Sequence, residues 1–233
     1  MCSSVGTSSA LRIMANSEAN HSSVWKYYFD EQSYISGIAI NAGFSSLFWV
    51  YQNIFQEDAA HILSDLQELD LDAMNEIIFL PFLDGERGPN YQQNMAGSFW
   101  GLKSNHGKKD ILKAVVEGIF FNLYQCYQII IEKKNLPSEI VAAGGYVNSA
   151  AMLQMQADIF NVKIVVPTIQ EASAVGAAIV SLKGMGVISS LSSIKTVSKN
   201  LCIPNSAKHQ EYMVKYKKYK KIYNMTLNIL KEI

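Results

Sequence analysis

Apolar positions along the chain change rhythm twice. Residues 10–15, 24–30 and 34–40 are short segments of strand character, separated by polar stretches at 16–23 and 30–33 that suit hairpin connections. This pattern predicts an antiparallel meander. Helical spacing follows at 44–55 and 58–74, then an apolar run at 77–83 that Pro81 demotes to an edge strand or extended loop. Residues 84–90 are dense in turn formers. A long helix is predicted over 108–134, with Ile111, Leu112, Val115, Val116, Ile119, Phe120, Leu123, Tyr127 and Ile130 on its apolar side and Ser104 or Asn105 as its cap. Strand and helix then alternate: 139–143, 149–160, 162–167 and 171–182.

Alternation of this kind implies parallel strands joined by right-handed crossovers. A meander, a long helix and two β-α units is the order of a ribonuclease-H-like α/β domain, a mixed sheet flanked by helices. Residues 1–186 are assigned to that domain. Residues 187–233 are read as a serine-rich connector (184–206) and a terminal helix packed on the same domain, with a stripe of Met213, Tyr216, Tyr219, Ile222, Tyr223, Leu227 and Leu230. The lysines at 215, 217, 218, 220 and 221 admit a nucleic-acid patch, but lysines between tyrosines at helical spacing favour a solvated face over a packed one.

Composition narrows the classes. The chain has 233 residues, is 49% hydrophobic and balances 20 basic against 20 acidic residues, so no net field draws it to nucleic acid or a membrane. Cys2, Cys126 and Cys202 are scattered and odd in number, which points to a reducing, cytoplasmic compartment and away from a disulfide framework. No cysteine–histidine spacing resembles a zinc site. The segment 111–131 contains Lys113, Glu117, Asn122 and Gln125 and reads as a buried helix, not a membrane span.

Four segments carry candidate chemistry. Gly144 and Gly145 end an apolar strand, and Asn148 or Ser149 caps the helix that follows. Paired glycines let backbone approach a ligand, and the helix start offers free N–H groups, although an ordinary tight turn uses the same residues. Gly6-Thr7-Ser8-Ser9 can present N–H and O–H donors to phosphate oxygens. The small residues of 171–178 suit close packing or one wall of a nucleotide pocket, or both. Glu86 beside Arg87 reads first as an ion pair that pins its loop, and second as a substrate-facing or interdomain pair. His21, His61, His106 and His209 have no visible partner and default to surface or packing roles.

The order of these blocks resembles the C-terminal domain of the FGGY family of carbohydrate kinases, of the actin, hexokinase and Hsp70 superfamily. The matching stretches are Gly6-Thr7-Ser8; Phe79-Leu80-Pro81-Phe82-Leu83 with Gly85-Glu86-Arg87 and Pro89; and Gly97-Ser98-Phe99-Trp100-Gly101-Leu102. They continue with Ala114-Val115-Val116-Glu117-Gly118-Ile119, Phe121-Asn122, Gly144-Gly145 with Asn148-Ser149, Ala157-Asp158, and Glu171-Ala172-Ser173-Ala174-Val175-Gly176-Ala177-Ala178. Within the family the gluconate kinases are most similar, through Gly6-Thr7-Ser8-Ser9-Ala10-Leu11-Arg12 and the stretch 34–43 preceded by Trp25-Lys26-Tyr27-Tyr28. The chain departs from them at Asn41-Ala42-Gly43-Phe44, where they tend to show two asparagines and two glycines.

The resemblance implies ATP with Mg²⁺ in a cleft between two domains. Gly6 and Thr7, with Ser8, would meet the β- and γ-phosphates, and Gly144, Gly145 and Asn148 the adenosine. The sugar or sugar acid, and the aspartate that deprotonates it, would come from an N-terminal domain lying before Met1. The chain alone is then expected to bind nucleotide weakly and turn over negligibly. Its bare cleft face favours a homodimer or lowered solubility. Two other classes stand beside the kinase half: a nucleotide-binding module without chemistry that works through partners, and a purely structural domain whose glycines only pack.

Overall fold

The computed structural model describes residues 1–15, 21–30, 33–73, 75–132, 136–168, 171–191, 194 and 197–232. Parts of the expected hairpin connections, at 16–20 and 31–32, lie outside that set, as do the expected helix ends at 74 and 133–134.

Seven strands form one sheet in the order β3-β4-β2-β1-β7-β8-β9. They are β1 (Cys2–Val5), β2 (Ser9–Ala15), β3 (Trp25–Asp30), β4 (Ser33–Ile40), β7 (Glu139–Ala143), β8 (Lys163–Pro167) and β9 (Ser198–Cys202). A separate two-stranded ribbon joins β5 (Ile78–Leu80) to β6 (Ser98–Trp100). The first four strands are antiparallel neighbours, β1 runs parallel to β7 and β7 to β8, and β9 closes the edge antiparallel to β8. Fold and class are the mixed, helix-flanked α/β sheet that the pattern predicts.

Helix α3 (Lys108–Ile131) is the buried axis, with Leu112, Val115, Val116, Ile119, Phe120 and Leu123 wholly enclosed. It is long and apolar enough to cross a membrane, but 72% of its apolar window is buried inside the protein, as a core helix's would be. Helices α4 (Ala150–Phe160) and α6 (Ser206–Glu232) pack beside it, and α1 (Phe44–Val50) follows the meander, running on through a wider turn to Phe55.

The four residues of β1 suffice for a strand because β1 sits between β2 and β7 and both of its edges are satisfied. Four local expectations differ. The helix expected over 58–74 reduces to a short turn at Ala59–His61 and α2 (Ile62–Gln67). Beyond α2, Asp70 Oδ1 accepts from the N–H groups of Asp72 at 2.8 Å and Ala73 at 3.1 Å, a local bond that competes with helix. The long helix is capped at Gly107, whose N–H donates to Asp110 Oδ2 at 2.9 Å, not at Ser104 or Asn105. The connector contains β9, which carries too few apolar residues to be read as a strand and owes its state to the free edge of β8. Finally, of the two uses that 171–178 suit, close packing and the wall of a nucleotide pocket, the first is not borne out: α5 (Ala172–Gly184) has no fully buried residue.

Candidate functional site

The register of β1 against β7 pairs Ser4 with Ala143. Both strands run the same way, so the turns that follow them, Gly6-Thr7-Ser8 and Gly144-Gly145, emerge side by side at one edge of the sheet. That edge, at the carboxyl ends of parallel strands, is where α/β sheets gather ligands. Gly144 is needed there twice over: its φ is +91°, and a Cβ on it would lie 2.5 Å from the Val5 carbonyl oxygen.

The Gly6 turn is closed by a bond from Gly6 N–H to Ser8 O at 3.0 Å. Its outer carbonyls are engaged by the start of α1: Phe44 N–H donates to Gly6 O at 2.8 Å and Ser45 N–H to Thr7 O at 3.1 Å. A Cβ at Gly43 would sit 2.4 Å from Gly6 O, so Gly43 is what allows this approach. Thr7 and Ser8 are exposed, and among the described residues their N–H groups bond to nothing.

The second turn is held from below. Tyr146 is fully buried, and its hydroxyl donates to Gln156 Oε1 at 2.7 Å. Gln156 Nε2 in turn donates to Ser3 Oγ at 2.8 Å. This buried chain ties α4, the Gly145–Asn148 turn and β1 together, and nothing in the sequence pattern pointed to Gln156 or Ser3. Ser149, not Asn148, caps α4, accepting from Met152 N–H at 3.3 Å. Asn148 is exposed, with Nδ2 donating to Gly145 O at 3.3 Å. All six sequence-predicted residues thus lie on one edge: Gly6 is half-buried, and Thr7, Ser8, Gly144, Gly145 and Asn148 are exposed.

Around the Gly6 turn the surface sinks into a cavity of about 140 Å³, bordered by Ser4, Ser8, Arg12, Trp25, Tyr27 and Arg87 among others. Arg87 also borders a wider hollow of about 420 Å³ with Asn41, Asp84, Glu86, Tyr91 and Gln93. The expected Glu86–Arg87 ion pair is not formed. Glu86 is 2% exposed and points its carboxylate inward, where Oε2 accepts from the Tyr223 hydroxyl at 2.6 Å and Oε1 from Asn90 N–H at 3.4 Å. Burial pushes the Glu86 carboxyl up, opposed by these donors. The loop is pinned by α6, an element the sequence reading had not joined to it.

Among the described residues no three His, Cys, Asp or Glu converge to hold a metal ion.

A mixed sheet presenting two glycine turns at the carboxyl ends of its parallel strands has the general arrangement of a ligand-binding α/β domain. The chain belongs to the FGGY family of carbohydrate kinases: the family's C-terminal domain matches residues 1–185. A xylulose kinase of Staphylococcus epidermidis is 32% identical over 203 residues, 86% of this chain and 41% of that protein. A gluconokinase of Bacillus licheniformis is 28% identical over 238 residues, 97% of this chain and 45% of that one. The crystal structure of gluconate kinase from Lactobacillus acidophilus superposes with a TM-score of 0.86 at 31% identity, covering 96% of this chain and 46% of that chain. The chain therefore spans less than half the length of the relatives it matches.

Proposed function

We propose that this chain is the nucleotide-holding half of an ATP-dependent carbohydrate kinase, transferring the γ-phosphoryl group to a hydroxyl of a sugar or sugar acid, gluconate first among them. One observation carries the reading: the turns at Gly6 and Gly144 stand next to each other on β1 and β7, with the N–H groups of Thr7 and Ser8 unengaged among the described residues. Gly6, Thr7 and Ser8 would hold the β- and γ-phosphates, and Gly144, Gly145 and Asn148 the adenosine.

Bound Mg²⁺ would neutralise charge on the phosphate oxygens during in-line transfer. The contribution of this chain is positioning and donor N–H groups. The base that takes the sugar's proton would come from an N-terminal domain, so the chain alone is proposed to be catalytically silent and to work with that domain in the cytoplasm. Residues 1–186 would be the kinase domain proper and 187–233 an integral appendage. Xylulose is the second substrate to test, because xylulose kinases match the chain as well as gluconokinases do.

Titration of the chain with MgADP, followed by backbone amide NMR, is expected to move the resonances of Gly6, Thr7, Gly144 and Gly145. Gly144→Ala is expected to weaken nucleotide binding at least tenfold, because the added Cβ must displace the Val5 carbonyl. Nucleotide shifts confined to other surfaces would overturn the reading. Adding a matching N-terminal half should restore phosphorylation of gluconate; nucleotide binding without restored transfer would favour a non-catalytic module.

A further inference from the structure

The chain contains 18 lysines but only two arginines, Arg12 and Arg87, 75 residues apart in sequence. Both border the same small cavity, and no lysine does. The residue type chosen there matters. A guanidinium presents a rigid fork of donors that matches a carboxylate in a bidentate manner, whereas an ammonium is a compact point charge.

The pair is built, not incidental. On β2, Ala10 and Arg12 alternate with the enclosed Leu11, so they share the sheet face opposite the core. The Arg12 head is drawn back along the hairpin, where Nη1 donates to Ser4 Oγ at 2.6 Å. It is held over the Trp25 ring at 6.0 Å from the centroid. Ser4 pairs with Ala10, one ladder step from the Val5–Ser9 pair that closes the Gly6 turn. Ser8 borders the cavity itself, so the guanidinium stands beside the phosphate turn.

Neither arginine has a carboxylate partner among the described residues. Glu86, the nearest in sequence, is committed to Tyr223 and Asn90 on the inner side. Two cations converging on one hollow without a counter-ion repel each other, and an anion entering the hollow relieves that repulsion.

We propose that Arg12 and Arg87 form the carboxylate subsite for an acidic sugar, so that this half of the protein itself selects an aldonate over a neutral ketose or polyol. The proposal rests on the kinase reading, which puts the reacting phosphate at Gly6-Thr7-Ser8. A substrate with one hydroxyl at that turn and a carboxylate at the arginines would lie along the hairpin between them. Phosphate shares the chemistry of carboxylate. The turn's own N–H groups already offer it a cradle, which leaves the arginines for the second anion.

Two arginines give two side-chain Nε–H resonances, so the site can be read directly in a ¹⁵N-labelled sample of the whole chain. D-gluconate is expected to shift both, saturating in the millimolar range. D-glucitol, which has the same carbon skeleton without the carboxylate, is expected to shift neither. Inorganic phosphate should move the Gly6 and Thr7 amides more than the arginines. Arg12→Gln should weaken the gluconate response at Arg87 Nε at least tenfold while the MgADP shifts at Gly144 and Gly145 persist.

Arginine resonances that ignore gluconate, or that respond equally to glucitol, would overturn the subsite whether or not nucleotide binds. Arginine shifts with phosphate and none with gluconate would reassign the pair to ATP. Gluconate binding without any MgADP shift at the glycines would keep the subsite and sink the kinase reading.

Discussion

Helices α5 and α6 invert the usual link between composition and burial. α6 carries lysines at 208, 215, 217, 218, 220 and 221, yet Tyr212, Tyr216, Tyr219 and Tyr223 on it are almost wholly enclosed. Tyr212, Tyr216 and Tyr219 pack on Phe121 of α3, with ring centroids 5.5 Å away for Tyr219 and 5.6 Å for Tyr216, and Tyr223 packs on Phe82. α5 is rich in alanine, glycine, valine and isoleucine yet has no fully buried residue: Val175, Ile179 and Leu182 are half-buried, Val180 is 47% exposed and Met185, just past its end, 68%. A Cβ added at Gly176 would meet no atom within 4 Å. The difference is that α6 lays its tyrosines on α3 and the β5 side of the core, whereas α5 makes only slighter contacts among the described residues, such as the Lys183–Asp30 pair at 3.2 Å. Apolar composition records what a helix is made to touch, and only a partner decides whether it is touched.

The buried end of this contrast can be broken hardest at Lys215. Its ammonium donates to Asn75 Oδ1 at 2.8 Å and forms an ion pair with Glu117 on α3, both groups nearly without solvent. Removing one partner strands the other: Lys215→Ala is expected to cost about 3–5 kcal/mol in urea denaturation. The paired change Lys215→Leu with Glu117→Leu should recover most of that loss, since apolar replacement of a whole buried pair is often neutral. A single variant as stable as wild type would show that α6 is not locked by charge.

A smaller, pH-dependent effect is expected at Glu86, which joins the candidate site to α6 through Tyr223. Burial raises its pKa from the ordinary 4.5, so the folded state holds this proton more tightly than the unfolded chain. The stability that follows is complete below about 4.5 and is lost as pH rises through the folded value. Relative to Glu86→Gln, the wild type should therefore be most favoured near pH 4 and lose ground towards pH 7. Urea midpoints of both proteins at the two pH values check the sign; a constant difference would place Glu86 in water.

Smaller still is the effect of the Tyr219 hydroxyl, buried without a hydrogen-bond partner among the described residues. An unsatisfied buried hydroxyl costs free energy, so Tyr219→Phe should stabilise the chain by up to about 1 kcal/mol in thermal or urea melts. Tyr216→Phe serves as the control, because its hydroxyl donates to Gln128 Oε1 at 2.8 Å and its loss should destabilise.

Much of the fold and the candidate edge was readable from residue pattern. Short segments of strand character gave the meander, the spacing along α3 gave its enclosed face, and the paired glycines at the end of 139–143 marked the turn that β7 brings beside the Gly6 turn. What escaped reading was set by distant partners. β1 is too short to announce itself and exists because two neighbours pair with it. β9 takes its state from the edge of β8. Glu86 beside Arg87 looked like a pair, but a tyrosine 137 residues away holds the carboxylate inward and leaves Arg87 without a carboxylate partner among the described residues. The Tyr146–Gln156–Ser3 chain joins three elements whose spacing carries no motif. Local rhythm foretells elements; side-chain pairing across the sheet must be seen.

The smallest effect on folding is expected where apolar residues are most exposed. Val180→Ser with Met185→Ser, in and just past α5, should change stability by no more than about 0.5 kcal/mol, because Val180 is already half-exposed and Met185 more so. The same pair should nevertheless change behaviour at high concentration. Together with Val187, Val197, Leu201 and Ile203, all more than half exposed, these residues present apolar surface in and beyond α5. Sedimentation of wild type against the double variant separates two uses of that surface. If it mediates self-association, the variant will be the more monomeric and otherwise unaltered. If it meets an N-terminal half, both proteins will sediment alike and only the variant will lose affinity for the added half. A double variant that unfolds would mean that α5 is packed after all, and the contrast with α6 would disappear.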